Sequence, residues 1–103
     1  MSIDTLVHQI RQSTDFQKNK IRLHEQVEND LLIPHGDGMF RASPELISFL
    51  AVWDQNELYL EDIYSNPVKC NREQLLESCK QQYQKVMNRW HNQHEQMQRT
   101  RKV

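Results

Sequence analysis

The chain has 103 residues, with 13 Lys and Arg against 14 Asp and Glu, two Gly, three Pro and two Cys. That length makes one domain with a modest core, and apolar residues at 37% fall below the globular norm of about 45–50%. No run approaches the ~20 apolar residues of a membrane span, no signal-peptide apolar region follows Met1, and Cys70 and Cys79 have neither metal nor redox spacing, which disfavours a membrane protein, a secreted miniprotein and a multidomain enzyme.

Asp4 or Ser2 can cap a first helix carrying Leu6, Val7 and Ile10 on one face. Ser13-Thr14-Asp15 is a candidate break, because these side chains compete for backbone hydrogen bonds. A second helical stretch then shows Phe16, Leu23, Val27 and Leu31. From Leu31 the pattern changes: Leu31-Leu32-Ile33-Pro34-His35 and Met39-Phe40-Arg41-Ala42 flank Gly36-Asp37-Gly38, the composition of a hairpin turn. Pro34 lacks an N–H and keeps the first arm short or at an edge.

Ser43-Pro44-Glu45 is a helix start, with a capping hydroxyl, proline at the first helical position and an acid facing the dipole. The helix that follows, over residues 44–53, is apolar on nearly every face and is expected at the centre of the core. Leu58 to Ile63 then alternates as a strand, Ser65-Asn66-Pro67 turns the chain, and Val68-Lys69-Cys70 returns as a second short strand.

Asn71, with Gln74 three residues on, opens the longest element in a capping-box arrangement. Leu76, Cys79, Tyr83, Val86, Trp90 and Met97 form its apolar stripe, widened by Leu75 and Met87. Roughly 28 helical residues at ~1.5 Å each reach about 42 Å, longer than a compact body with a radius of gyration near ~13 Å is wide. The stripe from Met87 onward therefore needs either another chain or the N-terminal helices beside it.

Charge is unevenly spread. Residues 25–62 carry nine acids against Arg41 alone, while both ends of the chain are basic. These blocks can neutralise each other within one fold, pair between copies or face an outside partner. Lys85, Arg89, Arg99, Arg101 and Lys102 form a basic tail that suits a helix C-terminus and, alternatively, nucleic-acid phosphates.

Residue chemistry offers little to an enzyme. His91 and His94 lie three apart on a helix, but two ligands do not close a metal site. His35-Gly36-Asp37-Gly38 is ordinary turn chemistry, and Glu61 and Asp62, as strand neighbours, point to opposite faces. No phosphate loop, nucleophile elbow or zinc ribbon is present in the sequence. No catalytic residue, metal or cofactor is expected.

Phe40, Ser43-Pro44-Glu45-Leu46-Ile47, Leu60-Glu61-Asp62-Ile63-Tyr64-Ser65-Asn66-Pro67-Val68, Asn71-Arg72, Tyr83, Asn88-Arg89-Trp90 and the terminal Arg101-Lys102 follow one another in a familiar order. This stretch, about two-thirds of the chain, resembles the small, roughly hundred-residue reading frames of T4-like marine and cyanobacterial myophages. The resemblance implies a phage-encoded accessory protein, a small assembly or virion component or a modulator of a host complex, in the cytoplasm of an infected cell or in the virion. It carries no functional residue.

The sequence thus predicts one α+β domain: N-terminal helices within residues 1–30, hairpins of a small antiparallel β-sheet plus a buried helix within 31–70, and a long amphipathic C-terminal helix over 71–103. The expected role is non-enzymatic protein interaction or assembly, with a homo-oligomer as partner state, no membrane, and Tyr83, Val86, Met87, Trp90 and Met97 as the partner-binding set. A nucleic-acid-associated protein using the basic tail is the alternative.

Overall fold

Ser2 starts the first helix, its Oγ accepting the N–H of Thr5 at 3.2 Å. The structure is a computed structural model that describes residues 2–101, Arg101 by its backbone alone. Helix α1 runs unbroken over Ile3–Asp30. The break expected at Ser13-Thr14-Asp15 does not occur, because Thr14 Oγ1 donates to the carbonyl of Ile10 at 2.9 Å and is satisfied inside the helix.

Strands β1 (Leu32–His35) and β2 (Gly38–Arg41) form the first antiparallel hairpin, with Ile33 opposite Phe40 and His35 opposite Gly38. Gly36 begins its two-residue turn at φ +56°, where an L side chain is disfavoured. Helix α2 (Pro44–Val52) follows, capped by Ser43 Oγ on the N–H of Leu46 at 3.2 Å. Strands β3 (Glu57–Glu61) and β4 (Pro67–Asn71) pair antiparallel as a second, separate two-stranded sheet, and helix α3 (Arg72–Arg101) closes the chain. The α+β architecture with a long C-terminal helix is the one read from the sequence.

The two hairpins are locked together by Asp62. Its carboxylate accepts the backbone N–H groups of Asn66 at 2.9 Å, Tyr64 at 3.0 Å and Met39 at 3.3 Å. The Ile63 N–H also donates to the Met39 carbonyl at 2.9 Å. Asp62 is the one buried charged residue among those described, and its role is to hold the β3–β4 turn against β2.

The core sits where the hairpins, α2 and the inner halves of α1 and α3 meet: Val27, Leu31, Ile33, Phe40, Leu50, Leu58, Val68, Cys70, Leu75, Cys79 and Val86 are buried in one cluster. At the start of α3 the buried position is Leu75, with Leu76 only half-buried, so the stripe begins one residue earlier than the sequence spacing places it. Helix α2 is buried along one face only. Leu50 is fully covered and Leu46 and Ile47 are half-buried, but Val52 is 81% exposed, and Phe49 and Trp53 also face outward. It is thus one wall of the core rather than its centre, because among the described residues no element covers Phe49, Val52 and Trp53 on its outer side.

Beyond this body α1 and α3 continue side by side, antiparallel, as an arm. Asp30 anchors its base, its carbonyl accepting from Gln82 Nε2 at 2.6 Å and its carboxylate pairing with Arg89 at 3.1 Å. The His24 and Trp90 rings meet edge to face at 5.8 Å further out. The molecule measures 65 × 24 × 18 Å with a radius of gyration of 19.4 Å, well above the ~13 Å of a compact chain this long.

Candidate functional site

Several of the groups singled out from the sequence take part in structural contacts. His35 Nε2 accepts the backbone N–H of Asn71 at 3.2 Å, and its ring lies edge-on to Phe40, with centroids 6.3 Å apart. Asp62 is held below its usual carboxylate range, first by the hydrogen bond from Asn66, which together with those from Met39 and Tyr64 outweighs the opposing effect of burial. Its neighbour Glu61 faces solvent. Burial raises the thiol of Cys70 and pushes that of Cys79 up to about 11, so both are protonated at neutral pH. His91 pairs with Glu95 at 3.3 Å, while His94 faces Gln98. No group of three or more His, Cys, Asp or Glu lies together as a metal site among the described residues.

The five residues expected to bind a partner do not form one open surface. Val86 is buried and belongs to the core, so it cannot serve as an exposed contact. The physical reason is that α1 runs along α3 and lays Val27, with Leu31 just past its end, into the same cluster. Met87 and Trp90 are half-buried against that cluster. Tyr83, with Pro44 and Ile47 of α2, lines a shallow groove of about 530 Å³ rimmed by Lys80, Gln81 and Gln84. Met97 lies far out on the arm, where it shares a groove of about 780 Å³ with Phe16 and Leu23 under a rim of Gln9, Gln12, Gln93 and Gln96.

The basic set is likewise divided. Arg89 is spent on Asp30, whereas Lys85 and Arg99 are exposed. The Arg101 side chain and Lys102 lie outside the described residues. The acidic middle of the chain pairs in part with bases from elsewhere in the same molecule, Glu28 with Arg41 at 3.4 Å, Asp30 with Arg89 and Glu57 with Lys69 at 4.0 Å.

Among the described residues, apolar side chains stay exposed at Tyr59, Ile63 and Tyr64 of the second hairpin and on two helix faces. One is the outer face of α2, where Phe49 and Trp53 stack with ring centroids 5.1 Å apart beside Val52. The other is on α1. Ile3, Leu6, Val7, Ile10 and Ile21 are all exposed, Ile3 at 79% and Ile21 at 59%. At 3.6 residues per turn the stripe through Ile3, Val7 and Ile10 is rotated by roughly 140° from the Phe16, Leu23 and Val27 face that meets α3. The sequence held the signal for this: two apolar stripes out of phase on one uninterrupted helix. Treating Ser13-Thr14-Asp15 as a candidate break between them concealed it.

Thr100 shares the distal groove with Gln9, so the first residues of α1 extend to the very tip of the arm, where the outer stripe is densest. Among the described residues no helix is long and apolar enough to cross a membrane. Comparison of the chain with known protein families, with curated proteins and with solved structures finds no significant match to any of them.

Proposed function

We propose that this chain is a non-enzymatic protein-interaction or assembly module that self-associates through its helical arm. The observation that carries the reading is the row of exposed aliphatic residues along α1, Ile3, Leu6, Val7, Ile10 and Ile21, on an arm that projects from a well-packed body. Apolar surface of this kind, rimmed by Gln, Lys and Asp, is what a partner helix covers. The self-association first expected of the outer α3 stripe is thereby shifted to the arm as a whole, since α1 already occupies much of that stripe. The structural duties of His35, Asp62, Cys70 and Cys79 favour a protein that acts by binding. The resemblance of residues 40–102 to small reading frames of T4-like myophages supports a phage-encoded accessory role, in the infected cell's cytoplasm or in the virion. Nucleic-acid association through the basic tail is less favoured, because Arg89 is engaged by Asp30.

The test is the solution mass by sedimentation or light scattering at micromolar protein and about 0.15 M salt. A dimer or larger assembly is expected. A strict monomer across the concentration range, with binding to DNA or RNA that weakens steeply with salt, would replace this reading by the nucleic-acid one.

A further inference from the structure

Strand β3 keeps one edge bare. At the two ends of the β3–β4 ladder the Arg72 N–H donates to the Asn56 carbonyl and the Asp62 N–H to the Asn66 carbonyl. Bonded positions alternate in an antiparallel pair, so between these ends Leu60 bonds to Val68 and Leu58 to Cys70. Glu57, Tyr59 and Glu61 therefore turn their N–H and C=O groups away from β4. Among the described residues these groups meet no backbone partner, because no strand lies beyond β3.

The other strand edges are occupied or blunted. On β4 the outward N–H of Asn71 goes to His35, and the Lys69 carbonyl lies against Gly36. On β2 the outward Met39 donates to Asp62 and accepts from Ile63. On β1 the outward Pro34 has no N–H to offer. An edge with unpaired donors and acceptors is a template for another extended chain.

The side chains along this edge say which chain. Glu57, Tyr59 and Glu61 share the solvent face of β3, with Tyr59 71% exposed. Among the described residues Glu61 pairs with no base, and Glu57 pairs only with Lys69 at 4.0 Å. A second copy is a poor occupant. Laid antiparallel on itself in the register that pairs all three outward residues, β3 sets Glu57 against Glu61 twice, and like charges directly opposite are unfavourable. No other strand of this chain carries two bases on one face. An extended segment with Lys or Arg opposite each glutamate and a β-branched or aromatic residue opposite Tyr59 satisfies both the charges and the ring.

We infer that the outer edge of β3 docks an extended basic segment of another protein, which adds to the second hairpin as a third strand. Glu57 and Glu61 then serve twice, turning away β3 of a second copy and selecting a strand of opposite charge. This edge is separate from the helical arm, so the contact and self-association through the arm stand or fall independently.

The probe is the capped peptide Ser-Lys-Val-Thr-Val-Lys-Ser, titrated into the full chain and followed by the amide resonances of β3. It should bind with a Kd below about 1 mM and slow the hydrogen exchange of the Glu57, Tyr59 and Glu61 amides. The same peptide with Glu in place of both Lys should bind about tenfold more weakly or not at all. The double variant Glu57→Lys with Glu61→Lys should reverse that preference. Tyr59→Pro removes an N–H that the β3–β4 ladder does not use, so it should keep the fold and abolish binding. If Tyr59→Pro unfolds, the charge reversal alone decides. A probe that fails to bind up to about 1 mM overturns the inference, as does binding indifferent to the peptide's charge or to the double variant. Amides of Glu57, Tyr59 and Glu61 already protected in the free chain overturn it too, and protection that rises with protein concentration would give the edge to a second copy.

Discussion

The backbone N–H of Asn71 donates to Nε2 of His35 across 36 residues of sequence, while the Asn71 side chain caps α3 by accepting the N–H of Gln74 at 3.0 Å. In a capping box the glutamine three residues on would reach back to the cap's own N–H. Here the imidazole from the first hairpin takes that place, so the start of α3 is tied to β1 by tertiary structure. His35→Ala should therefore cost about 1 kcal/mol in urea unfolding, the net worth of a hydrogen bond. The same substitution in an Asn71→Pro background, which has no N–H to satisfy, should cost markedly less.

Gly38 tests how closely the hairpins approach. A Cβ there would lie 2.6 Å from Val68 Cγ2 and 3.1 Å from Asp62 Oδ2. Gly38→Ala should destabilise by about 1–3 kcal/mol through overpacking, and Val68→Ala should recover part of that loss when combined with it. At Gly36 the cause differs, since φ is +56° and the nearest atom to a Cβ is the Lys69 carbonyl at 3.3 Å. Gly36→Ala should cost about 1–2 kcal/mol, and Val68→Ala should not relieve it.

Asp62 sets an acid limit. Its carboxyl is lowered in the folded protein from its ordinary value of 3.8, chiefly by the Asn66 N–H. The folded state therefore binds its proton less readily than the unfolded chain does. The stability it contributes is complete above about pH 4 and is lost as pH falls through the lowered folded value. Asp62→Asn keeps an oxygen for Tyr64 and Asn66 but turns an N–H group toward that of Met39. The variant should melt at lower temperature at pH 7 and show a shallower decline in melting temperature below pH 4.

Cys79 sets an alkaline one. Its thiol is raised by burial from 9.0 to about 11, so the folded state holds its proton more tightly than the unfolded chain. Its contribution is whole below pH 9 and fades as pH rises toward 11. Cys79→Ala should flatten that decline, at a cost of about 1–3 kcal/mol at neutral pH for the lost packing. A thiol reagent at pH 8 should label neither Cys70 nor Cys79 until denaturant is added.

The elements of this fold were legible because their signals are local. The Ser43 cap with Pro44, the Gly36-Asp37 turn and the alternation of Leu58 and Leu60 each act within a few residues, and each predicts the element that forms. What the sequence left unresolved depends on partners distant in the chain. Ser13-Thr14-Asp15 has the composition of a break, yet Thr14 bonds back to Ile10 and the helix continues. Helix α2 is apolar all round and still keeps Phe49, Val52 and Trp53 outside, because composition does not count how many neighbours arrive. Val86 lies on the stripe drawn from its spacing, but α1 covers it. For the candidate surface, Leu6, Val7 and Ile10 were legible as one face of a helix while Ile3 and Ile21 were not singled out, and periodicity identifies a stripe without saying which stripe a helix turns inward.

The arm is built from the first and last elements of the chain, and its basal contacts join residues 52 and 59 positions apart, Asp30 to Gln82 and Asp30 to Arg89. Closing so long a loop is unfavourable until the hairpins and α2 have brought the two helix bases together. The arm then forms as a zipper with one fixed end, each turn docking beside a turn already docked. In the unassociated chain, amide hydrogen exchange should accordingly be slowest near Val27 and Val86 and quicken turn by turn toward Gln9 and Thr100. The last stretch to gain protection is the one richest in uncovered isoleucine, so an encounter with another helix can complete the fold at the tip without disturbing the body that anchors it.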